Sequence, residues 1–165
     1  MTGHPRAVLA VLLATTGLRQ TDAAALLCVA GRTMRRWMEG VRAPPAVAID
    51  RLAALARALD QAADDTVRMI REATPAAAVL MVYGRDRDVP AWSQWRTKGC
   101  HLALARRVVE RLPNVHLVAY DRGDYRRWLG SRQDAEEQRT AWAASRVGTS
   151  GPRPEGISNQ KPSSA

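Results

Sequence analysis

The sequence predicts an α-rich, α+β fold in which an all-α N-terminal domain with a helix-turn-helix precedes a small α/β domain. Apolar residues recur at helical spacing through most of residues 5–73. Beyond them, two short apolar runs at 76–83 and 115–120 flank an amphipathic segment at 101–112. The order strand, helix, strand is typical of an α/β unit.

Three segments follow from this pattern. Pro75 disfavours helix in the residue before it and marks a boundary. The last stretch is rich in Gly, Pro, Ser, Asn and Gln, so it is predicted to be disordered. We therefore expect a helix-turn-helix domain at 1–74, a small α/β domain at 75–146 and a disordered tail at 147–165.

The N-terminal helices are predicted from apolar stripes and from the residues that begin or end them. A first helix is expected at 5–15, with Val8, Leu9, Leu12 and Leu13 facing the core. Thr21 and Asp22 are suited to the start of the next helix, whose apolar face contains Ala23, Ala24, Leu26 and Leu27. After Pro45, a helical segment extends to about residue 73, with a break expected near residues 60–65.

The segment 28–44 has the features of the second half of a helix-turn-helix. Residues 28–30 form the short connection that such a motif requires. In the following helix, predicted at 31–38, Met34 and Trp37 share a buried face while Arg32 and Arg36 share another. Gly40 can end that helix. Trp37 is therefore interpreted as a core residue rather than a base-stacking one.

Residues 5–60 resemble the Xre/Cro-like helix-turn-helix regulators. The resemblance rests on the register of Gln20, Thr21, Ala24, Leu27, Val29, Thr33, Met34, Trp37, Gly40, Arg42 and Pro44. Two positions depart from the family pattern. Cys28 stands where the family usually has glycine, although a Cβ disfavours positive φ. Met38 replaces the acidic residue that commonly follows the tryptophan.

The resemblance implies a set of DNA-binding residues. Arg32, Thr33 and Arg36 would face base edges, and an arginine can donate two hydrogen bonds to guanine. Gln20 and Thr21 would contact phosphate, although Thr21 also fits a helix cap. Arg35 and Arg42 would contact phosphate, which adds affinity without sequence information.

Composition is consistent with a polyanionic partner. The 165 residues contain 25 Lys and Arg against 16 Asp and Glu, a formal net charge of +9. Nucleic acid is the first candidate, with RNA as an alternative to DNA, and an anionic membrane is the second. The apolar run at 7–14 is too short to span a bilayer, so no membrane association is expected.

Cysteine and histidine are too few and too scattered to indicate a cofactor. Cys28 and Cys100 indicate a reducing cytoplasm rather than a disulfide framework, and no metal-ligand spacing is present. Cys100 and His101 are adjacent in a predicted helix and therefore point in different directions. We expect neither an enzyme nor a bound cofactor.

The second half resembles the C-terminal domains of anti-CRISPR-associated repressors and YdiL-like proteins. The likeness lies in VLMVYGRD, WSQWRTKGCHLALARRVV and VHLVAYDRGDYRRWL, and it implies a homodimeric autorepressor. In the predicted helix at 101–112, Leu102, Ala105, Val109 and Leu112 form the apolar face. Further helices are expected at 121–129 and 131–144, and Trp92, Trp95 and Trp128 are assigned to the core or a dimer interface.

A sheet of two strands is marginal by itself, so a second subunit would complete it. The leading hypothesis is a repressor that binds an inverted-repeat operator as a homodimer. The alternative is an antitoxin or another partner-binding protein whose second domain holds a protein.

Overall fold

The computed structural model describes residues 5–73 and 78–147. Within them the chain forms seven α-helices and one two-stranded sheet, so the helix-rich α+β class is confirmed. The elements are α1 (Pro5–Thr16), α2 (Gln20–Leu26), α3 (Gly31–Glu39), α4 (Ala46–Ala73), β1 (Val79–Val82), α5 (Lys98–Arg111), β2 (His116–Ala119), α6 (Arg122–Leu129) and α7 (Glu136–Val147). Pro75, the start of the first predicted strand and the tail from 148 lie outside the described residues.

Helices α1 to α3 and the first half of α4 enclose one apolar core. It contains Leu9, Leu13, Ala23, Ala24, Leu27, Met34, Trp37, Ala48 and Leu52. Leu26, which the apolar pattern assigns to this core, is 45% exposed. It lies off the helical stripe that Ala23, Ala24 and Leu27 form, so the prediction is wrong at that position.

Helix α4 is continuous, and the predicted break near residues 60–65 is wrong. Its buried stripe continues through Leu59, Ala63 and Val67, which pack on the second half of the chain. The acidic residues that suggest a break each form an ion pair with an arginine: Asp60 with Arg107, Asp64 with Arg111, and Asp65 with Arg68. One helix therefore contributes to the N-terminal core and to two further apolar clusters, in which it packs on the second half of the chain. No helix in the described part of the chain is long and apolar enough to cross a membrane.

Strands β1 and β2 are parallel, with α5 as the crossover between them. Val79 pairs with His116, and the register continues to Val82 opposite Ala119. Residues Ala78, Leu80 and Val115 face α4 and α5, whereas Val79, Met81 and Val118 face α6 and α7. Helices thus pack on both faces of the sheet, but they leave β2 exposed at His116, Leu117 and Ala119.

Helix α5 begins three residues before the predicted start because the Thr97 hydroxyl caps it, accepting a hydrogen bond from the Cys100 N–H at 3.2 Å. The predicted apolar face is also wrong in part. Leu102 is 48% exposed, whereas Arg107 is buried. The guanidinium of Arg107 donates to Asp60 at 2.7 Å and to the carbonyl of Thr15 at 2.9 Å, so its burial is compensated.

Helix α7 begins at Glu136 and not at residue 131. Gly130 has a φ of 60°, and Asp134 in the following loop accepts hydrogen bonds from Tyr125 and Arg139. These tertiary contacts hold residues 131–135 out of the helix.

Candidate nucleic-acid interface

The turn between α2 and α3 is held by backbone hydrogen bonds at the end of α2. The Val29 N–H donates to the carbonyl of Ala24 at 2.9 Å, and the Cys28 N–H donates to Ala25 at 3.1 Å. This is the Schellman motif, which needs a left-handed residue after the helix. Cys28 supplies it with a φ of 55° and is the one non-glycine residue with positive φ among residues 5–73 and 78–147. The departure from glycine therefore leaves the turn geometry intact.

The second motif helix ends in the same way. Gly40 has a φ of 78°, and the Val41 N–H donates to the carbonyl of Arg36 at 3.0 Å. Matching turns at Cys28 and Gly40 fix both ends of the segment that contains α3. The prediction that Gly40 ends the helix is confirmed.

Helix α3 is anchored by two buried side chains and exposes its arginines on other faces. Met34 is fully buried and Trp37 is 4% exposed, as the sequence predicts. The indole Nε1 of Trp37 has no hydrogen-bond partner among the described residues. An apolar anchor opposite a cationic face is what a major-groove helix needs.

The remaining residues predicted to bind DNA surround that helix. Gln20 and Thr21 are exposed in the first turn of α2, Thr33 is half-buried, and Arg42 is exposed in the loop after α3. Arg32, Arg35, Arg36 and Arg42 are exposed, and none of them forms an ion pair with a described acidic residue. These guanidinium groups are therefore free to meet phosphates or base edges.

The N-terminus of α2 is capped differently from the sequence interpretation. Arg19, and not Thr21, occupies the cap position. The Asp22 carboxylate accepts from the backbone N–H of Arg19 at 3.3 Å and from its guanidinium at 2.8 Å. The hydrogen bond from Arg19 lowers the pKa of Asp22. Thr21 is consequently not needed as a cap.

A long-range ion pair lies at the same helix end, and the sequence does not predict it. The Arg19 guanidinium also donates to Asp86 at 2.8 Å, although the two residues are 67 positions apart. The second oxygen of Asp86 accepts from the Lys98 N–H at the start of α5 at 2.8 Å. No local sequence signal identifies a contact between residues this far apart.

A buried arginine organises the carboxyl ends of the two strands. The Arg139 guanidinium donates to Asp134 at 2.7 and 2.9 Å, to the Tyr83 hydroxyl at 3.3 Å and to the carbonyl of Asp88 at 3.0 Å. It also lies 4.8 Å from the centre of the Tyr120 ring. Burial acts against the charge of Arg139, and Asp134 compensates for it. Because most of its N–H groups already donate hydrogen bonds within the protein, Arg139 has a structural role.

The tryptophans of the second half have different surroundings. Trp92 is 49% exposed and lies beside Arg139, so the core alternative is wrong for this residue and the dimer-interface alternative stays a prediction. Trp95 and Trp128 are half-buried. The guanidinium of Arg132 lies 3.9 Å from the centre of the Trp128 ring, a cation–π distance.

Cys100 and His101 lie in separate environments. Cys100 is 4% exposed, and burial raises the pKa of its thiol. His101 Nε2 lies 3.1 Å from the Ser93 hydroxyl, and burial lowers the pKa of the imidazole to about 4. No group of three or more potential metal ligands occurs within residues 5–73 and 78–147.

No protein-family model and no characterised protein matches this chain.

Proposed function

We propose that this protein is a homodimeric, sequence-specific DNA-binding repressor that binds an inverted-repeat operator and regulates its own operon. The observation that supports this function is helix α3, in which buried Met34 and Trp37 anchor exposed Arg32 and Arg36. Arg32 and Arg36 would read guanines, while Arg35, Arg42, Gln20 and Thr21 would hold phosphates. Thr33 would face the bases beside them.

The dimer would form through the edge of β2 that pairs with no other strand within residues 5–73 and 78–147. In the parallel ladder, the N–H groups of His116 and Tyr120 donate to β1. The N–H and C=O groups of Leu117 and Ala119 consequently face away from β1. Leu117 is also 51% exposed. Antiparallel pairing of two copies of β2 about a twofold axis would give a four-stranded sheet and satisfy these groups.

The experiment is selection of binding sites from random DNA, followed by titration of the selected duplex and of single-base variants. An inverted repeat with half-sites about one helical turn apart, or a multiple of this, is expected. Arg36→Ala should cost about 1–3 kcal/mol and relax the preference at one base position. Arg68→Ala is the matched control, because it removes the same charge from an exposed site far along α4.

Two outcomes would contradict this function. Failure to enrich any sequence would remove the DNA-binding proposal. Enrichment with unchanged preference in both Arg32→Ala and Arg36→Ala would show that α3 does not read the bases.

A partner-binding protein, such as an antitoxin, is the second candidate. The exposed Trp92 favours it, since half-exposed tryptophan is enriched at protein interfaces. This candidate predicts a stable complex with a second protein encoded beside it, whereas a homodimer alone would favour the repressor. Gel filtration with light scattering of the protein purified from its native host distinguishes the two.

A further inference from the structure

The segment between β1 and α5, residues 83–97, lies against the N-terminus of α2. Asp86 in this β1–α5 loop accepts from Arg19 at 2.8 Å and from the Lys98 N–H at 2.8 Å. Arg19 immediately precedes Gln20 and Thr21, the two residues expected to contact phosphate. Arg85 and Arg87, which flank Asp86 in the chain, are therefore close to that end of α2.

Backbone packing holds the loop in this position. Gly17, which follows α1, touches Gly99 in the first turn of α5 so closely that a Cβ on either residue would overlap the other's backbone. Buried Arg107 adds hydrogen bonds to Thr15 and Asp60. The placement of the loop thus depends on more than the exposed Arg19–Asp86 pair, which alone would contribute little.

The acidic side chains of the loop accept hydrogen bonds within the protein, whereas its arginine side chains have no such partners among the described residues. Asp86 is engaged as described, and Asp88 is buried and accepts from Arg122 at 2.8 Å. Arg85, Arg87 and Arg96 are exposed, and their guanidinium groups make no hydrogen bond or ion pair within the described residues. The loop therefore presents three unpaired positive charges beside the helix-turn-helix.

Most of the other arginines in the second half form ion pairs within the protein. Ion pairs join Arg106 to Glu110, Arg107 to Asp60, Arg111 to Asp64, Arg122 to Asp88, Arg127 to Asp124 and Arg139 to Asp134. Free guanidinium groups occur on α3 and in the β1–α5 loop, and also at Arg6, Arg51, Arg57 and Arg126, which are exposed and form no ion pair within the described residues. The loop differs from these other sites in its position, because Asp86 accepts a hydrogen bond from Arg19 at the N-terminus of α2 at 2.8 Å.

We propose that the β1–α5 loop is a second DNA-contacting element, in which Arg85, Arg87 and Arg96 bind backbone phosphates flanking the bases that α3 reads. The proposal rests on the proposed DNA-binding function. Guanidinium groups bind phosphate through paired hydrogen bonds and release condensed counterions from DNA. Such contacts raise affinity without adding sequence preference.

The test compares a duplex containing the selected operator alone with one extended by about half a helical turn on each side. The loop variant carries Arg85→Ala, Arg87→Ala and Arg96→Ala. The control carries Arg68→Ala, Arg106→Ala and Arg127→Ala, an equal loss of charge at exposed sites. Circular dichroism checks that both variants are folded.

For the wild-type protein and the control, extension of the duplex should tighten binding on the order of tenfold at low salt. The loop variant should not show that gain, and its salt slope should fall by roughly one for each phosphate that the three arginines no longer bind. Preference among single-base operator variants should stay unchanged.

Two failures are distinguishable. A loop variant that keeps the gain from flanking DNA, while the wild-type protein binds its operator, overturns this inference alone. Absence of selective binding by the wild-type protein overturns the proposed function and this inference with it.

Discussion

Gly17 and Gly99 meet backbone to backbone where the end of α1 crosses the start of α5. A Cβ built on Gly99 would overlap the carbonyl group of Gly17, and one built on Gly17 would overlap the carbonyl group of Gly99. Gly17 also has a φ of 70°, which L side chains rarely adopt. Only glycine at both positions permits this approach between the two halves of the chain.

Gly99→Ala should therefore destabilise the protein. Its Cβ requires displacement of backbone, and overpacking of this kind typically costs about 1–3 kcal/mol. Urea denaturation followed by circular dichroism measures the free energy of unfolding. Gly84→Ala is the control, because a Cβ there meets nothing within 4 Å; equal stability of the two variants would contradict the close contact.

Cys28→Gly should stabilise the helix-turn-helix. The residue has a φ of 55°, a conformation that costs a residue with a Cβ about 1–2 kcal/mol. Glycine removes this cost but adds freedom to the unfolded chain, which leaves a net gain of about 0.5–1 kcal/mol. Cys28→Ala keeps the Cβ and should be nearly neutral, so an equal effect of both substitutions in thermal denaturation would contradict this explanation.

Stability should fall between pH 6.5 and about pH 4 because of His101. Burial lowers the pKa of its imidazole to about 4 in the folded protein, whereas the unfolded value is about 6.5. The unfolded chain binds the proton first, so the stabilisation is complete above pH 6.5 and is lost as the pH falls toward 4. The depressed pKa values of Asp60 and Asp134 place their titration below this window.

His101→Gln should flatten this dependence by about 2 kcal/mol between pH 7.5 and pH 5. His116→Gln is the matched control, since His116 is exposed. Urea midpoints at the two pH values provide the comparison. If both variants show the same pH dependence, His101 is not the group whose titration causes it.

The features that depend on local periodicity can be predicted from the sequence, whereas those that depend on distant contacts cannot. The stripe containing Met34 and Trp37 is evident at a spacing of three residues. The burial of Arg107 is not, because its partners Asp60 and Thr15 are 47 and 92 positions away. The acids at 60–65 suggest a helix break because the partners of Asp60 and Asp64, Arg107 and Arg111 on α5, cannot be read from sequence.

The proposed interface on β2 provides the last test. Leu117 is 51% exposed, and its backbone N–H and C=O face the open edge of the sheet. Leu117→Glu would place two carboxylates near the twofold axis of an antiparallel β2 pair, where like charges repel. We expect the dimer dissociation constant to rise more than about tenfold in sedimentation equilibrium, a change of roughly 1.4 kcal/mol. Val11→Glu, at a 62% exposed position on α1, should leave it unchanged. An intact dimer in the Leu117→Glu variant would show that the interface does not lie on β2. A monomeric wild-type protein would exclude the homodimer itself.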